Sequence, residues 1–335
     1  MINEAIQQYY GLQPGELINA GPYKTFFYRN ILHTVVDVTS MDEDELTEMH
    51  QISQHLMGQG DRQVATFMPN LSGSVLTKIE ETKLIICRNA LYERKEEASN
   101  VGRELSYFHQ RGKMLPFQVE KLNRIGQWKD LWEKRLNQME NFWRGKLQEL
   151  PNHDMERKFI ESFPYYLGLT ENAMQYLVDT EIDDLPRAID TATVCHHRFV
   201  PDTWGESYYY KLPFDWVFDH PSRDLSEYIR YLYLQNERPE AIRKIHAFLS
   251  EYEKVTPLSS FSWRLLYARL LFPVHYFETI EGYYSTGDED RKYKAFKRLE
   301  SIVEEAANYQ LFLKEFYATM GIPAAKYSIP ELEWL

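Results

Sequence analysis

Cysteine is scarce in this chain of 335 residues, and the two that occur, Cys87 and Cys195, lie far apart. They form neither a CxxC motif nor the dense pattern of a disulfide-stabilised secreted domain. We therefore expect synthesis in a reducing compartment. Long uncharged apolar runs are also absent. The most apolar late stretch, 263–277, carries Arg264 and Arg269, so we expect no membrane insertion.

Basic residues are outnumbered, and phosphate-binding glycine loops are missing. Lys and Arg total 38 against 50 Asp and Glu, for a net charge of −12 without a basic block. Such a chain is a poor general binder of polyanions, so we expect no nucleic-acid partner. The glycines at 58 and 60 follow a helical pattern and lack the third glycine of a dinucleotide-binding loop, which excludes that motif and the P-loop.

Aromatic residues are abundant: 24 Tyr, 18 Phe and 7 Trp. Most of them fall at helical spacing on apolar faces, which favours a role in the core. A tyrosine triplet in a polar segment is the exception. We predict an exposed interaction loop formed by Trp204, Tyr208, Tyr209 and Tyr210, because exposed aromatic residues are common hot spots of protein interfaces.

The first third of the chain predicts strands around one helix. The β-branched and aromatic runs 25–28 and 31–38 flank Arg29-Asn30 and predict a hairpin. Apolar residues at helical spacing predict a helix over 41–56, with Ser40 as its N-cap. Three further strands are predicted at 64–68, 74–78 and 83–88.

Helical patterns dominate after residue 97. They cover 101–112, 128–147 and the region of 170–180, and they resume near 225, 242 and 262 after a loop-rich segment at 190–221. We predict an α+β chain with a β-rich N-terminal lobe at 1–90. A helical lobe at 91–335 would follow, containing a degenerate catalytic loop at 190–225.

Three strings give the chain a family resemblance. They are E-L-S-Y-F-H at 104–109 followed by Gly112, V-C-H-H-R-F at 194–199, and T-P-L-S at 256–259 leading into F-P at 272–273 and Y-Y at 283–284. The first two resemble aminoglycoside-phosphotransferase-type kinases. With the third, the chain resembles the CotS-type spore coat kinase-like proteins of endospore formers, above all their endospore-coat-associated members. This resemblance implies a two-lobed, protein-kinase-like fold.

The resemblance also implies positions for the phosphotransfer groups, and three of them carry other residues. A kinase needs a lysine for the phosphates, an aspartate for the substrate proton and an asparagine for Mg²⁺. Val36, Arg198 and Thr203 stand at those positions. Small register errors restore neither the lysine nor the asparagine, because no Lys occurs at 25–77 and no Asn at 173–235.

Some acidic residues fit a relic of the family's site. A relic nucleotide or metal site would comprise His196, Asp202, Asp215 and Asp219, with Asp215 in an F-D-W string that resembles the family's metal-binding aspartate. Asp224 resembles the aspartate that caps a helix and braces the catalytic loop. It also precedes an apolar helical pattern, which independently predicts an N-cap.

A metal site built on His196-His197 with Asp215, Asp219 and His220 is a further possibility. Adjacent residues of a strand point to opposite faces, so both histidines cannot easily bind one ion. We therefore expect no metal. The chain also contains neither HExxH nor G-x-S-x-G, so those hydrolase signatures give no competing prediction.

The resemblance implies a pseudokinase of the endospore coat that acts in coat assembly by binding other coat proteins. It would be synthesised in the mother-cell cytoplasm and would need no cofactor. Two alternatives stay open. One is a small-molecule phosphotransferase that uses ATP and Mg²⁺ through Asp202, Asp215 or Asp219. The other is a nucleotide or metabolite sensor without turnover.

Overall fold

The computed structural model describes residues 2–20, 22–90, 100–148, 150–204, 210–330 and 332. Contacts within the chain define two compact units. The first, here the N-terminal unit, comprises Met1–Arg124, Ala192–Asp224 and Ala247–Pro257; the second, the helical unit, comprises Ile125–Thr191, Leu225–His246 and Leu258–Leu335. The segment predicted as the catalytic loop thus belongs to the unit that holds the N-terminal sheet. The division into lobes at 1–90 and 91–335 stays a prediction.

The N-terminal unit is built on an antiparallel sheet of short strands. They are β1 (Ile18–Ala20), β2 (Tyr23–Tyr28), β3 (Ile31–Asp37), β4 (Thr66–Phe67), β5 (Thr77–Ile79) and β6 (Thr82–Ala90). The order is β1-β2-β3-β6-β4, and β5 pairs separately with β6. Because side chains alternate between faces, Leu32, Thr34 and Val36 share one face of β3.

Arg29 and Asn30 form the turn between β2 and β3. Their φ angles are 50° and 61°, as the mirror-image turns of two-residue hairpins require. Tyr28 pairs with Ile31 across this turn. The predicted hairpin is therefore confirmed, with β3 ending at Asp37.

Three helices belong to this unit: α1 (Ile2–Tyr10), α2 (Glu43–Gly58) and α3 (Val101–Lys113). Helix α1 packs on the face of the sheet that carries Val35. The buried cluster there consists of Ile6, Tyr10, Leu12, Phe26, Val35, Leu84 and Ile86. Burial of these apolar side chains is the main term that stabilises the sheet.

The N-cap of α2 differs from the prediction. Asp42 is the cap, since its Oδ1 accepts a hydrogen bond from the backbone N of Asp44 at 2.9 Å. The prediction of Ser40 is wrong. Asp37 accepts the backbone N–H of Thr39 at 2.9 Å and so holds the chain in a local turn, which moves the start of the helix past Ser40.

A second, two-stranded sheet completes the N-terminal unit. Strand β7 (Thr193–His196) runs antiparallel to β8 (Trp216–Asp219). Helix α3 packs on β7 at Gly112, where an added Cβ would lie 2.4 Å from Thr193 Oγ1. Only glycine permits this approach, which sets the depth at which α3 lies on the strand.

Six helices of the described residues lie entirely in the helical unit, and two of them are the longest that the structure describes. The six are α4 (Trp128–Lys146), α5 (Asp154–Asp183), α8 (Ser260–Leu271), α9 (Val274–Ser285), α10 (Glu289–Glu304) and α11 (Ala306–Thr319). Two more, α6 (Ser222–Leu234) and α7 (Arg238–Glu253), contribute residues to both units. Among the helices of the described residues, none is both long enough and apolar enough to span a membrane.

Aromatic residues fill the core of the helical unit. Tyr166 stacks on Tyr276 with ring centroids 3.8 Å apart, and Trp132 stacks on Phe272 at 4.5 Å. These four rings are buried. The tyrosine surplus therefore serves packing at these positions, as the helical spacing predicted.

Candidate functional site

The catalytic-loop segment lies between β7 and β8. It leaves β7 at His196, passes through 197–200 and enters a short 3₁₀ helix at Pro201–Trp204. The backbone N–H of His197 donates to the carbonyl of Asp215 at 2.7 Å. This bond extends the β7–β8 pairing by one step, so the start of the segment is held in place.

Asp224, in the first turn of α6, anchors the start of the segment by hydrogen bonds. Its Oδ1 accepts the backbone N–H of His196 at 2.9 Å, and its Oδ2 accepts from His196 Nδ1 at 2.7 Å and from His109 Nε2 at 3.2 Å. The carboxylate is fully buried. Burial raises the pKa of Asp224, but the two histidines outweigh it and hold the pKa well below the usual range.

Both histidines are fixed by a second hydrogen bond. Trp204 Nε1 donates to His196 Nε2 at 3.0 Å, and the Tyr252 hydroxyl lies 2.9 Å from His109 Nδ1. Since an indole N–H only donates, His196 carries its proton on Nδ1. We call Asp224, His196, His109, Trp204 and Tyr252 the brace, because each member holds the next in one orientation.

The sequence indicated only part of this brace. Asp224 has the contacts that its predicted bracing role requires. His109 entered the sequence argument only through the string at 104–109, and Trp204 only as a member of a surface loop. Their positions in the brace depend on contacts with residues distant in sequence, which no local pattern reveals.

The brace also explains why His109, Cys195 and Asp224 lie close together. Their potential ligand atoms lie within 4.8 Å of one another. The Cys195 thiol donates to the backbone carbonyls of Asp219 and His220, at 3.6 and 3.5 Å. The histidine already donates to the carboxylate. This arrangement suits a hydrogen-bonded core, because a metal would displace the hydrogens that hold it together.

A cleft of about 660 Å³ opens beside the catalytic-loop segment. Its lining includes Ile18, Asn19, Ala20, Pro22, Tyr23, Thr25, Phe27 and Leu32 from the N-terminal strands, and His197, Arg198, Val200, Asp202, Thr203, Tyr210, Leu212 and Asp215. We call this pocket the cleft. Four residues predicted for the site thus meet there: Arg198, Asp202, Thr203 and Asp215.

The position predicted for the kinase lysine lies on the same face of β3 as the cleft residue Leu32. Val36 is buried there opposite Ile85 of β6. Its side chain has no polar atom, so it gives this face of the sheet no group for a phosphate.

Thr203 serves the backbone of its own loop. Its hydroxyl donates to the carbonyl of Arg198 at 3.1 Å and accepts the backbone N–H of Val200 at 2.8 Å. The residue at the predicted metal position is therefore occupied with closing the loop. Asp202, its neighbour, is exposed.

Asp215 and Asp219 have different surroundings. The Tyr23 hydroxyl donates to Asp215 Oδ1 at 3.2 Å. Burial raises the pKa of Asp215, which opposes the ionised form that a metal needs. Asp219 is fully buried, and its oxygens accept from Arg223 Nε at 2.6 Å and from the backbone N–H of His220 at 2.8 Å.

The histidines of the possible metal site also have different surroundings. His196 belongs to the brace, whereas His197 is exposed. His220 Nδ1 lies 2.7 Å from the Ser222 hydroxyl.

A buried ion pair joins Lys211, which precedes β8, to Asp61, which follows α2 in the same unit. Lys211, which is 2% exposed, donates from Nζ to Asp61 Oδ2 at 2.7 Å, and Arg111 reaches the same oxygen at 3.1 Å. The ammonium lies 4.4 Å from the ring centroid of Trp204. Sequence reasoning missed this lysine, since Asp61 and Lys211 are 150 residues apart.

Glu48 of α2 also has a structural partner. Its carboxylate accepts the backbone N–H groups of Glu120, Lys121 and Leu122, at 2.8, 2.9 and 3.0 Å. In an active kinase, a glutamate of the corresponding helix pairs with the lysine. Here Glu48 holds a connecting segment of the same unit.

The predicted aromatic interaction loop lies partly outside the described residues. Tyr208 and Tyr209 belong to the undescribed part. Trp204 is buried in the brace, and Tyr210 is half-buried and lines the cleft. Trp204 is therefore not part of an exposed loop as predicted, because its indole is packed and hydrogen-bonded in the brace. Exposure of Tyr208 and Tyr209 stays a prediction.

Comparison with known proteins supplies a family and a fold. The family described as "Spore coat putative kinase YutH" matches residues 3–316. The endospore coat-associated protein YutH of Bacillus subtilis (strain 168) is 43% identical over 336 residues, which cover 100% of this chain and 98% of the relative. The predicted resemblance to endospore-coat-associated kinase-like proteins is thereby confirmed.

Solved structures confirm the predicted fold class. An aminoglycoside phosphotransferase from Alicyclobacillus acidocaldarius has a TM-score of 0.69 at 12% identity, with 96% of this chain and 97% of that chain covered. AMP-bound spectinomycin phosphotransferase has a TM-score of 0.61 at 13% identity, with 90% and 93% covered. At these identities the structures show the fold alone.

Proposed function

The chain belongs to the family of the spore coat putative kinase YutH, and we propose that it acts in the endospore coat as a protein-binding scaffold without phosphotransfer. The family relative in Bacillus subtilis is endospore coat-associated. On this proposal the chain is synthesised in the mother-cell cytoplasm and deposited on the coat. Its partners are other coat proteins.

The observation that carries the proposal is an ordered frame around an unexpected residue: the brace holds the start of the catalytic-loop segment, yet Arg198 stands where the resemblance places the proton-accepting aspartate. Asp224 bonds both the backbone and the ring of His196, so the chain is held in place where it leaves β7. A guanidinium stays protonated and cannot accept a proton from a substrate hydroxyl. The fold is thus kept while its chemistry is changed.

Four other groups in or near the cleft are poor partners for Mg²⁺ and ATP, and of the predicted metal-site carboxylates only Asp202 is exposed. Thr203 is engaged with its own loop, and both oxygens of Asp219 are taken by Arg223 and a backbone N–H. Asp215 is hydrogen-bonded to Tyr23 and has a raised pKa. Val36 offers the phosphates no charge. Each missing group is worth orders of magnitude in rate, so their joint loss supports a scaffold over the phosphotransferase alternative.

The volume of the cleft favours one second candidate, a sensor that binds a small molecule without turnover. At about 660 Å³ the cleft falls within the range of ordinary ligand pockets. Its lining combines apolar side chains with Arg198, Thr203 and Asn19. A ligand there would act by stabilising the unit, not by reacting.

Incorporation into the coat tests the scaffold. The triple variant Arg198→Ala/Asp202→Asn/Asp215→Asn removes the arginine and both carboxylates of the cleft, and replacement of Tyr208, Tyr209 and Tyr210 by Ser removes the proposed contact loop. We expect the first to enter extracted spore coats at the level of the unchanged chain. The second should be reduced in the coat while its circular dichroism is unchanged. Loss of the folded cleft variant from the coat, with normal incorporation of the tyrosine variant, would overturn the proposal.

A further inference from the structure

A second pocket of the N-terminal unit differs in charge from the chain as a whole. Its volume is about 630 Å³, and it shares no lining residue with the cleft. Arg62, Arg88 and His50 line it, and no Asp or Glu is among its described lining residues. In a chain of net charge −12, two cations without a carboxylate create a local positive potential. We call it the arginine pocket.

Neither arginine of this pocket is used to hold the fold. Within the described part of the chain, the side chains of Arg62 and Arg88 make no ion pair or hydrogen bond. Other arginines of the same unit are held, Arg111 by Asp61 at 3.1 Å and Arg223 by Asp219 at 2.6 Å. The two guanidinium groups therefore keep their forked donors available for carboxylate or phosphate oxygens.

His50 of α2 adds an unsatisfied polar atom to the same wall. Its Nδ1 is buried and, among the described residues, has no hydrogen-bond partner. Such an atom costs stability unless a ligand or water satisfies it. The ring stacks on Phe67 with centroids 5.4 Å apart, which fixes its position. Burial lowers the pKa of His50 and so disfavours the charged imidazolium.

The rest of the wall is mainly apolar. It includes Ile31, Met57, Val64, Phe67, Pro69 and Val75. A small hydrated ion would leave this surface in contact with water. A ligand that carries an apolar group beside its charge would cover it, which is favourable in proportion to the area buried.

We propose that the arginine pocket binds an oxyanion carried on an apolar body. Arg62 and Arg88 pair with the oxygens, and the apolar wall covers the body. Two sources share this chemistry: a free small molecule that carries an acidic group beside an apolar group, and an acidic side chain beside an apolar residue on a partner protein. The second source rests on the proposed scaffold function. The oxyanion site itself does not.

Calorimetric titration of the full chain tests the site with three probes: inorganic phosphate, acetyl-Glu-Phe-Glu-amide and acetyl-Gln-Phe-Gln-amide. We expect the glutamate peptide to bind and the glutamine peptide not to bind. Arg62→Gln and Arg88→Gln should each weaken binding about tenfold, as expected for hydrogen bonds between charged groups. Phosphate that binds as tightly as the glutamate peptide would show that the apolar wall adds nothing to binding and would overturn the proposed apolar body. Reduced incorporation of Arg62→Gln/Arg88→Gln into the coat would identify a partner protein as the source, and normal incorporation a free small molecule.

The double variant Arg243→Gln/Arg291→Gln is the matched control. It removes the same charge from exposed positions of the helical unit and should change Kd by less than about twofold because salt screens distant charges. Unchanged thermal midpoints would confirm that the pocket variants are folded.

The proposed oxyanion site is wrong if no probe binds. It is also wrong if Arg62→Gln/Arg88→Gln and the control Arg243→Gln/Arg291→Gln weaken binding equally. Incorporation of Arg62→Gln/Arg88→Gln into the coat separates the two proposals. If the anion site fails while coat incorporation is normal, the scaffold stands.

Discussion

The brace and the cleft are neighbouring regions of the N-terminal unit, and they differ in burial: every member of the brace is buried, whereas Asp202 of the cleft is exposed and Thr203 and Asp215 are half-buried. In the brace, Asp224 has three donors, and both histidine rings have a second partner. In the cleft, Arg198 stands where the family resemblance implies the proton-accepting aspartate. The difference teaches that the frame of this loop depends on buried hydrogen bonds within the chain, whatever chemistry the cleft supports.

Breaking the brace at Asp224 should have the largest effect. In Asp224→Asn an amide N–H₂ would face donors, and the buried N–H groups of His196 and His109 would lose an ionised acceptor. We expect a loss of about 3–5 kcal/mol in the free energy of unfolding, measured by urea titration. Asp44→Asn, at an exposed carboxylate of the same unit, should cost less than about 0.5 kcal/mol.

The same variant should change the acid dependence of stability. The folded-state pKa of Asp224 is depressed, so its contribution is present above the unfolded pKa of about 3.9 and is lost as pH falls toward the folded pKa. Unfolding free energies measured across pH 5 to about pH 3 should decline less steeply in Asp224→Asn than in the unchanged chain. Equal slopes would show that the carboxylate is not ionised in the folded brace.

The buried ion pair beside the brace should give the next largest effect. Asp61→Asn leaves the Lys211 ammonium buried without a counterion and should cost about 3 kcal/mol. Lys211→Met leaves Asp61 paired with Arg111 and should cost about 1–2 kcal/mol. Urea titration of both variants measures which of them loses more free energy of unfolding. A larger loss for Lys211→Met would mean that its contact with Trp204 outweighs the ion pair.

Trp204→Phe tests one hydrogen bond of the brace. It removes the donor to His196 Nε2 and should cost about 1–2 kcal/mol. Nitrogen NMR of the imidazole should then show that His196 is no longer held in a single tautomer. An unchanged tautomer would assign its control to Asp224 alone.

Tyr23→Phe probes the cleft and should have the smallest effect. Loss of the hydrogen bond to Asp215 should cost about 1 kcal/mol or less. It should also raise the pKa of Asp215 further, since burial then acts without that bond. Carbon NMR of the carboxyl group measures the change, and Tyr28→Phe on the same strand serves as the control. A fall in the pKa would contradict the assigned contact.

Local patterns predicted much of the fold. The hairpin at Arg29-Asn30 was accessible because runs of β-branched and aromatic residues flank it on both sides. The N-cap of α2 was not predictable from local pattern, since Ser40 and Asp42 both have a side-chain oxygen that could accept. The turn at Asp37 decides between them. Helix α5 extends to Asp154 through Pro164, well beyond the predicted region, because packing of the buried side chains around the proline compensates for its missing donor.

The candidate site, like the fold, was predictable only in part. Family strings indicated the position of Arg198 and the bracing role of Asp224. The N-cap predicted at Asp224 is wrong, because α6 begins at Ser222 and the Asp224 carboxylate accepts from His196 and His109 instead of capping the helix. The pairing of Asp61 with Lys211 and the bond from Trp204 to His196 arise from the three-dimensional arrangement of distant segments. Tertiary hydrogen bonds of this kind have no period or spacing in the sequence.

The central claim is that the braced cleft does not carry out phosphotransfer. Its most direct test is thermal unfolding with millimolar ATP and Mg²⁺, combined with an assay for released phosphate and an active aminoglycoside phosphotransferase run in parallel. A ligand that binds only the folded chain raises the midpoint by mass action. We predict no magnesium-dependent rise and no phosphate release. A magnesium-dependent rise accompanied by phosphate release would contradict the claim, and a rise without release would favour the sensor over the scaffold.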